Sequence, residues 1–255
     1  MSKEIKDEGK VLLAQWLAPK RVGKLVRLGQ DFDGGYLINS LDLASSKALV
    51  SMGIQEDWSF ERDFSLAANV SVKSFDFSVG LISWLKCILR PALRRGKISE
   101  TLRNFTKPWR FYRFFSGSNV FLRKKIGVGA GCVDLNTALG ELEDVFLKID
   151  IEGAEYDIFK QIIEFESRLT GIAMEVHGLP IQLEEFKSFC SALTEMKIIH
   201  VHPNTVSGLT PSGEAKVLEV TFSKHFDDAQ IEHPLPHPLD MPNSVSTQNY
   251  QLVFE

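Results

Sequence analysis

The chain has 255 residues, 44% hydrophobic and 24% charged, with a formal net charge of −4 at pH 7. That length suits a single α/β domain over 1–255, and the composition excludes disordered, collagen-like and disulfide-scaffold classes. Three cysteines, Cys87, Cys132 and Cys190, lack any CxxC spacing, which points to reduced thiols in a cytosolic setting rather than a zinc site.

The start, MSKEIKDEGK, is charged and has no apolar signal core, and no apolar run approaches the roughly 18 residues of a membrane span. A cytoplasmic protein is expected. Glu4 to Leu17, with Ile5, Val11, Leu12 and Leu13 apolar, predicts a short amphipathic helix. DFDGGYLIN reads as a glycine-paired turn entering a short strand from Tyr36 to Ile38. Ala48 to Met52 is the first core strand. Gly53 and the loop IQEDWSFE follow it, then a helix through Phe60 and Phe64. Val70 to Phe75 is the second strand, and it ends at Asp76.

Residues 80–117 form an insertion rich in basic and aromatic side chains. Between Gly80 and Lys125 there are twelve lysines and arginines against one acid, Glu100, so the rest of the chain is strongly acidic. Leu81, Trp84, Leu85, Ile88 and Leu89 predict a helix that Pro91 ends or kinks. Three readings of this segment compete: a basic amphipathic lid on an anionic membrane surface, a face for an anionic glycan or glycolipid, and a structural insertion whose aromatics pack. Nucleic acid is disfavoured, because no binding motif accompanies the charge. The first reading would make the cytoplasmic protein peripheral to the inner face of a membrane.

Val120 to Ile126 is the third strand. Gly127, Gly129 and Gly131 imitate a dinucleotide fingerprint but follow the wrong strand, which argues against a dinucleotide-dependent oxidoreductase. Asn136 or Thr137 is expected to cap a short helix. Val145 to Ile149 is an almost unbroken apolar run, as in a parallel strand covered on both faces. The acidic turn Asp150–Glu152–Gly153 and a helix through Ile158, Phe159, Ile162 and Ile163 come next. Ile172 to Val176 and Ile198 to Val201 are further strands, separated by a helix through Leu183, Phe186 and Cys190. Val217 to Phe222 alternates apolar and polar residues, as an antiparallel edge strand would. The stretch from His233 to Pro242, rich in Pro and His, has no regular pattern and is expected to pack across the sheet or near the site mouth.

In open α/β sheets, ligands lie at the carboxyl ends of strands. Asp150 and Glu152, Glu175 and His177, and His200, His202 and Asn204 all stand at such ends. Residues two apart on a strand face the same way, so Glu175 pairs with His177 and His200 with His202.

The string KIDIEGAE resembles the signature of the FkbM-type family of S-adenosylmethionine (SAM) dependent methyltransferases. Weaker similarity covers DFDGGYLI, SMGIQEDWSFE, MEVHG, HVHPN and HPLPHPLDMPN. The resemblance, which leaves out the stretch from about Leu81 to Gly117, implies a class I, Rossmann-like α/β fold with a seven-stranded sheet and helices on both faces, and the basic, largely helical insertion falls between strands two and three. It implies SAM as cofactor, with Gly35 and Tyr36 near it. Gly53, Glu56, Asp57, Ser59 and Glu61 would hold its methionine end, Asp76 its ribose diol, and Asp150 would stand near the methyl group.

Methyl transfer to an alcohol requires an aligned nucleophile and a base for the hydroxyl proton. His177 is the expected base, with Asp150 beside the reacting groups and Glu175 or His202 orienting the imidazole. A divalent metal bridging Asp150 and the groups after the fifth strand is the alternative, though no compact carboxylate set in the sequence demands it. The expected substrate is a sugar hydroxyl of a glycan or glycolipid. A polyketide or other small metabolite, or a non-catalytic SAM-fold module docking to a membrane or partner, are the rivals.

Overall fold

The computed structural model describes residues 9–95, 98–230 and 235–255. In chain order it contains β1 (Lys10–Leu13), β2 (Lys20–Arg21), β3 (Leu25–Leu28), β4 (Tyr36–Asn39), α1 (Ser40–Ser45), β5 (Ala48–Met52), α2 (Ser59–Ala68) and β6 (Ser71–Phe75). The helices α3 (Leu81–Arg95), α4 (Ile98–Asn104) and α5 (Lys107–Phe114) follow, then β7 (Val120–Leu122), β8 (Lys125–Ile126), β9 (Cys132–Val133), α6 (Leu135–Leu139) and β10 (Val145–Ile149). The last part holds α7 (Glu155–Glu164), β11 (Leu169–His177), α8 (Leu183–Ala192), β12 (Lys197–Pro203), β13 (Val217–Ser223), β14 (Asp227–Gln230) and β15 (Gln251–Phe254).

Seven strands form the main sheet in the order β12-β13-β11-β10-β5-β6-β7. The run from β11 to β7 is parallel, and β13 lies antiparallel to both β11 and β12. Every residue of β5 and β10 is buried, as their continuous apolar runs predict. Alternation along β5 then divides the core. Val50 and Met52 join Leu147, Ile158, Phe186 and Phe189 on the face of α7 and α8. Leu49 joins Phe60, Phe64 and Phe146 on the face of α2. Each fully buried side chain of this size contributes about 1.5–3 kcal/mol.

The N-terminal expectation is corrected. Residues 4–8 lie outside the described part, and Lys10–Leu13 is a strand that buries Val11 and Leu13 and pairs in parallel with β15. Long-range pairing and a two-residue alternation override the helical spacing there. The third strand is also shorter than expected: β7 stops at Leu122, and Lys125–Ile126 pairs instead with Cys132–Val133 across the glycine loop. Asp134, not Asn136 or Thr137, caps α6 by accepting the Thr137 N–H at 2.7 Å. β13 is antiparallel but not an edge strand. Its polar members are buried and bonded: Thr221 donates to the Leu37 carbonyl at 2.7 Å and Ser223 to Asp42 at 2.8 Å.

The insertion is helical and lies between β6 and β7. Pro91 sits inside α3 rather than ending it. A small core anchors this layer: the fully buried Phe111 ring makes edge contacts with Trp84 at 5.2 Å and Trp58 at 5.4 Å. Among the described residues, no helix is long and apolar enough to cross a membrane.

Candidate functional site

Sheet register assembles the site. Ile149 pairs with Met174 on β11 and with Met52 on β5, so the residues just beyond these positions, Asp150, Glu175 and Gly53, form one row. The row continues outward through Glu219 and His202 on one side, since Glu175 pairs with Glu219 and Glu219 with His202. Asp76, after β6, continues it on the other. Two cavities open at this edge. The larger, about 1100 Å³, lies over the ends of β5, β6 and β10 and beneath α3; the smaller, about 270 Å³, lies toward Glu175 and His177. Gly53, Gln55, Asp150 and Glu152 line both.

The turn after β10 shows why its residues have these types. Glu152 and Gly153 both adopt positive φ, 57° and 98°, and reverse the chain. The buried Glu155 latches the turn: one carboxylate oxygen accepts the N–H groups of Ile151 at 3.0 Å and Gly153 at 3.2 Å. The same oxygen holds His177 Nδ1 at 3.1 Å, and the Tyr156 hydroxyl donates to the His177 carbonyl at 2.8 Å. Lys148, next to last in β10, is buried, donating to the Gly53 carbonyl and standing 3.5 Å from Asp150. Burial opposes its charge, but Asp150, Glu61 and Glu175 outweigh burial and raise its pKa.

Asp150, Glu175 and His177 bring one ligand atom each to within 4.8 Å of the others. Burial, with Asp150 and Glu219 nearby, pushes the Glu175 carboxyl up to about 9. His177 also rises to about 9, because its bond to Glu155 and the charges of Glu155, Glu175 and Asp150 overcome the opposing effect of burial. At neutral pH this pair therefore holds protons. Glu175 is oriented by Asn204, whose amide donates to it at 2.7 Å. His202 does not orient His177. Its two ring nitrogens engage Glu219 at 3.1 Å and Asn249 at 3.0 Å, away from the imidazole. The compact set that sequence spacing did not reveal exists because pairing of β10 with β11 brings distant residues together, and it could hold a divalent metal.

The expected cofactor residues divide between the cavities. Gly53 has φ 73°, and a Cβ there would strike the Asp150 carbonyl. Glu56 and Asp76 line the larger cavity; Asp57 and Glu61 line the smaller. Glu61 is buried, accepts from Ser51 at 2.5 Å, and has its pKa raised by burial. Asp76 has both oxygens filled by the chain itself. One takes the N–H groups of Ile54 at 2.9 Å and Gln55 at 2.8 Å; the other takes the N–H and hydroxyl of Ser78 at 2.7 and 2.6 Å. Four donors of the chain itself engage its two oxygens, so Asp76 shapes the Gly53–Asp57 loop while lining the larger cavity.

Ser59 lies in neither cavity lining and accepts the Gln30 N–H at 2.9 Å. Gly35 and Tyr36 are likewise set back. The Gly35 carbonyl accepts from Arg27 at 3.0 Å, and Tyr36 is buried against Phe60, while their neighbours Asp33 and Gly34 reach the smaller cavity. Sequence reasoning missed Lys148, Glu155 and Asp33. The spacing of KIDIEGAE contained the first two, but nothing in it distinguished a latch from a surface acid.

No protein-family model matches the chain, and no curated protein is similar to it. Solved structures similar to it include the Methanococcus jannaschii fibrillarin pre-rRNA processing protein, 7% identical, covering 88% of this chain and 93% of that one with a TM-score of 0.38. Another is M. jannaschii TYW2 in complex with AdoMet, 10% identical, covering 80% and 89% with a TM-score of 0.35. A third is the precorrin-6y C5,15-methyltransferase of Geobacter metallireducens, 13% identical, covering 72% and 86% with a TM-score of 0.34. Scores this low carry no weight of their own, and the fold assignment rests on strand order. Six strands running in one direction, with the last of the seven in the chain, β13, inserted antiparallel between β11 and β12, make the mixed seven-stranded, Rossmann-like sheet of the class I methyltransferase fold.

Proposed function

We propose that this chain is a SAM-dependent O-methyltransferase of the FkbM-like type, acting on a sugar hydroxyl of a glycan or glycolipid. The observation that carries the reading is the pair of adjoining cavities meeting at Gly53 and Asp150, one large and open, the other acidic and lined by a proton-holding pair. The larger volume slightly exceeds that of ordinary ligand sites, roughly 300–1000 Å³, and leaves room for an acceptor beside an adenosine. Asp33, Asp57, Glu61 and Glu152 suit an ammonium in the smaller one, and Glu56, which accepts no hydrogen bond from the described residues, suits the ribose.

SAM supplies an already activated methyl group. The chain's own task is to align a hydroxyl and remove its proton. With Nδ1 held by Glu155, a neutral His177 presents Nε2 as the acceptor. Glu175, kept protonated by burial, adds no second negative charge beside Asp150. Turnover should therefore rise with pH toward about 9, where the Glu175–His177 pair gives up a proton. The test is transfer of labelled methyl from SAM to a panel of sugars and glycolipids. His177→Gln is expected to lose roughly 100-fold in turnover and its pH dependence while keeping SAM affinity. A fully active variant contradicts the assignment.

The cluster of Asp150, Glu175 and His177 also supports a metal-assisted form of the same reaction. A divalent ion there would displace the protons, so turnover abolished by EDTA and restored by Mg²⁺ would replace His177 as the base.

A further inference from the structure

Exposed apolar side chains ordinarily lie scattered over a protein surface. Here they gather on the insertion. Leu81, Leu85, Leu89 and Leu93 recur every fourth residue of α3 and form one stripe, with exposures of 76%, 49%, 47% and 81%. Trp109 on α5 is also exposed, at 63%. The opposite side of α3 holds Trp84 and Pro91 in the interior, so packing within the molecule does not account for the leucines.

Cations border the stripe. Lys86 and Arg90 stand next to it on α3 and line the larger cavity. On α5, which packs on the Trp84 side of α3 through Phe111, Arg113 lies over the Trp109 ring at 5.2 Å. Lys86, Arg90, Lys107 and Arg110 form no ion pair with the described residues, and Glu100 is the single acid between Gly80 and Lys125. A leucine ridge flanked on its own helix by Lys86 and Arg90 complements the boundary between acyl chains and anionic headgroups.

We infer that α3 seats the protein on an anionic lipid bilayer, with the leucine stripe at the headgroup–acyl boundary and the cavity wall of Lys86 and Arg90 turned toward the headgroups. Such an attachment presents lipid-linked acceptors directly to the cavity mouth, a consequence that rests on the proposed methyl transfer. The attachment itself does not depend on that activity.

The test is flotation of the full chain with vesicles of phosphatidylcholine alone or with about one third phosphatidylglycerol, in low and high salt. Wild type should bind the anionic vesicles at least about tenfold better than the neutral ones. Leu81→Gln/Leu85→Gln/Leu89→Gln should lower that binding roughly tenfold, with an unchanged thermal melt because these side chains are exposed. Lys86→Gln/Arg90→Gln should weaken binding and flatten its salt dependence. Failure of folded wild type to float with anionic vesicles overturns the inference. So does a leucine variant that floats like wild type, which would mean adsorption by charge alone. A wild type that is dimeric in solution, with the leucine variant monomeric, would assign the stripe to a second copy of the chain.

Discussion

Glu155 is the residue on which the site's geometry turns, because one of its oxygens serves both the turn and the imidazole. Glu155→Gln removes the charge that holds the His177 proton. The imidazole pKa should fall from about 9 toward its ordinary value, which an NMR titration of His177 would read. His202 tests the other assignment. Burial alone would lower its pKa, but Glu219, Asp240 and Asn249 raise it to about 9. A histidine raised in the folded state stabilises fully below its unfolded value near 6.5, and that contribution fades as pH rises through about 9. His202→Gln should therefore cost about 3–5 kcal/mol at pH 6 and less at pH 9, with SAM binding retained. A uniform loss at both pH values would contradict the buried ion pair. The sequence located the acids and histidines at the strand ends but could not assign their partners. Asp76 and Glu56 look equally available as text, yet Asp76 is filled by its own loop.

Elements legible in the sequence were those whose pattern and environment agree. Ala48–Met52 and Val145–Ile149 are continuous apolar runs, and both strands occupy the covered centre of the sheet. Where the environment is set by distant chain, pattern misleads. Lys10–Leu13 is a strand because β15 arrives more than 230 positions later, and β13 is interior because the β3–β4 hairpin and the tail cover its polar face. The loop after β5 gives an element-scale prediction. Gly53→Ala puts a methyl group against the Asp150 carbonyl at positive φ, so it should cost about 1–3 kcal/mol and lower cofactor affinity at least tenfold. In the insertion, Phe111→Ala should cost about 3–5 kcal/mol, because that ring is fully buried among other aromatics. Thermal or chemical denaturation measures both, and an unaltered melt of either variant would contradict the packing described.

Across the whole molecule, charge and cavities share one polarity. Acids gather at the strand ends around Asp150, while the insertion and the segment from Arg123 to Lys125 bring cations to the far wall of the larger cavity. This division was visible in the sequence as a basic block within an acidic chain. That the block folds over the strand ends, and so faces the site, was not visible, because it depends on where α3 crosses the sheet edge. The measurement that tests the account most directly is titration calorimetry of the purified chain with SAM, beside the Gly53→Ala variant. Saturable binding at one site, weakened at least about tenfold by the variant, is the predicted result. A demonstrably folded protein that gives no saturable heat with SAM, or a variant that binds it as wild type does, would contradict the assignment of the cavity.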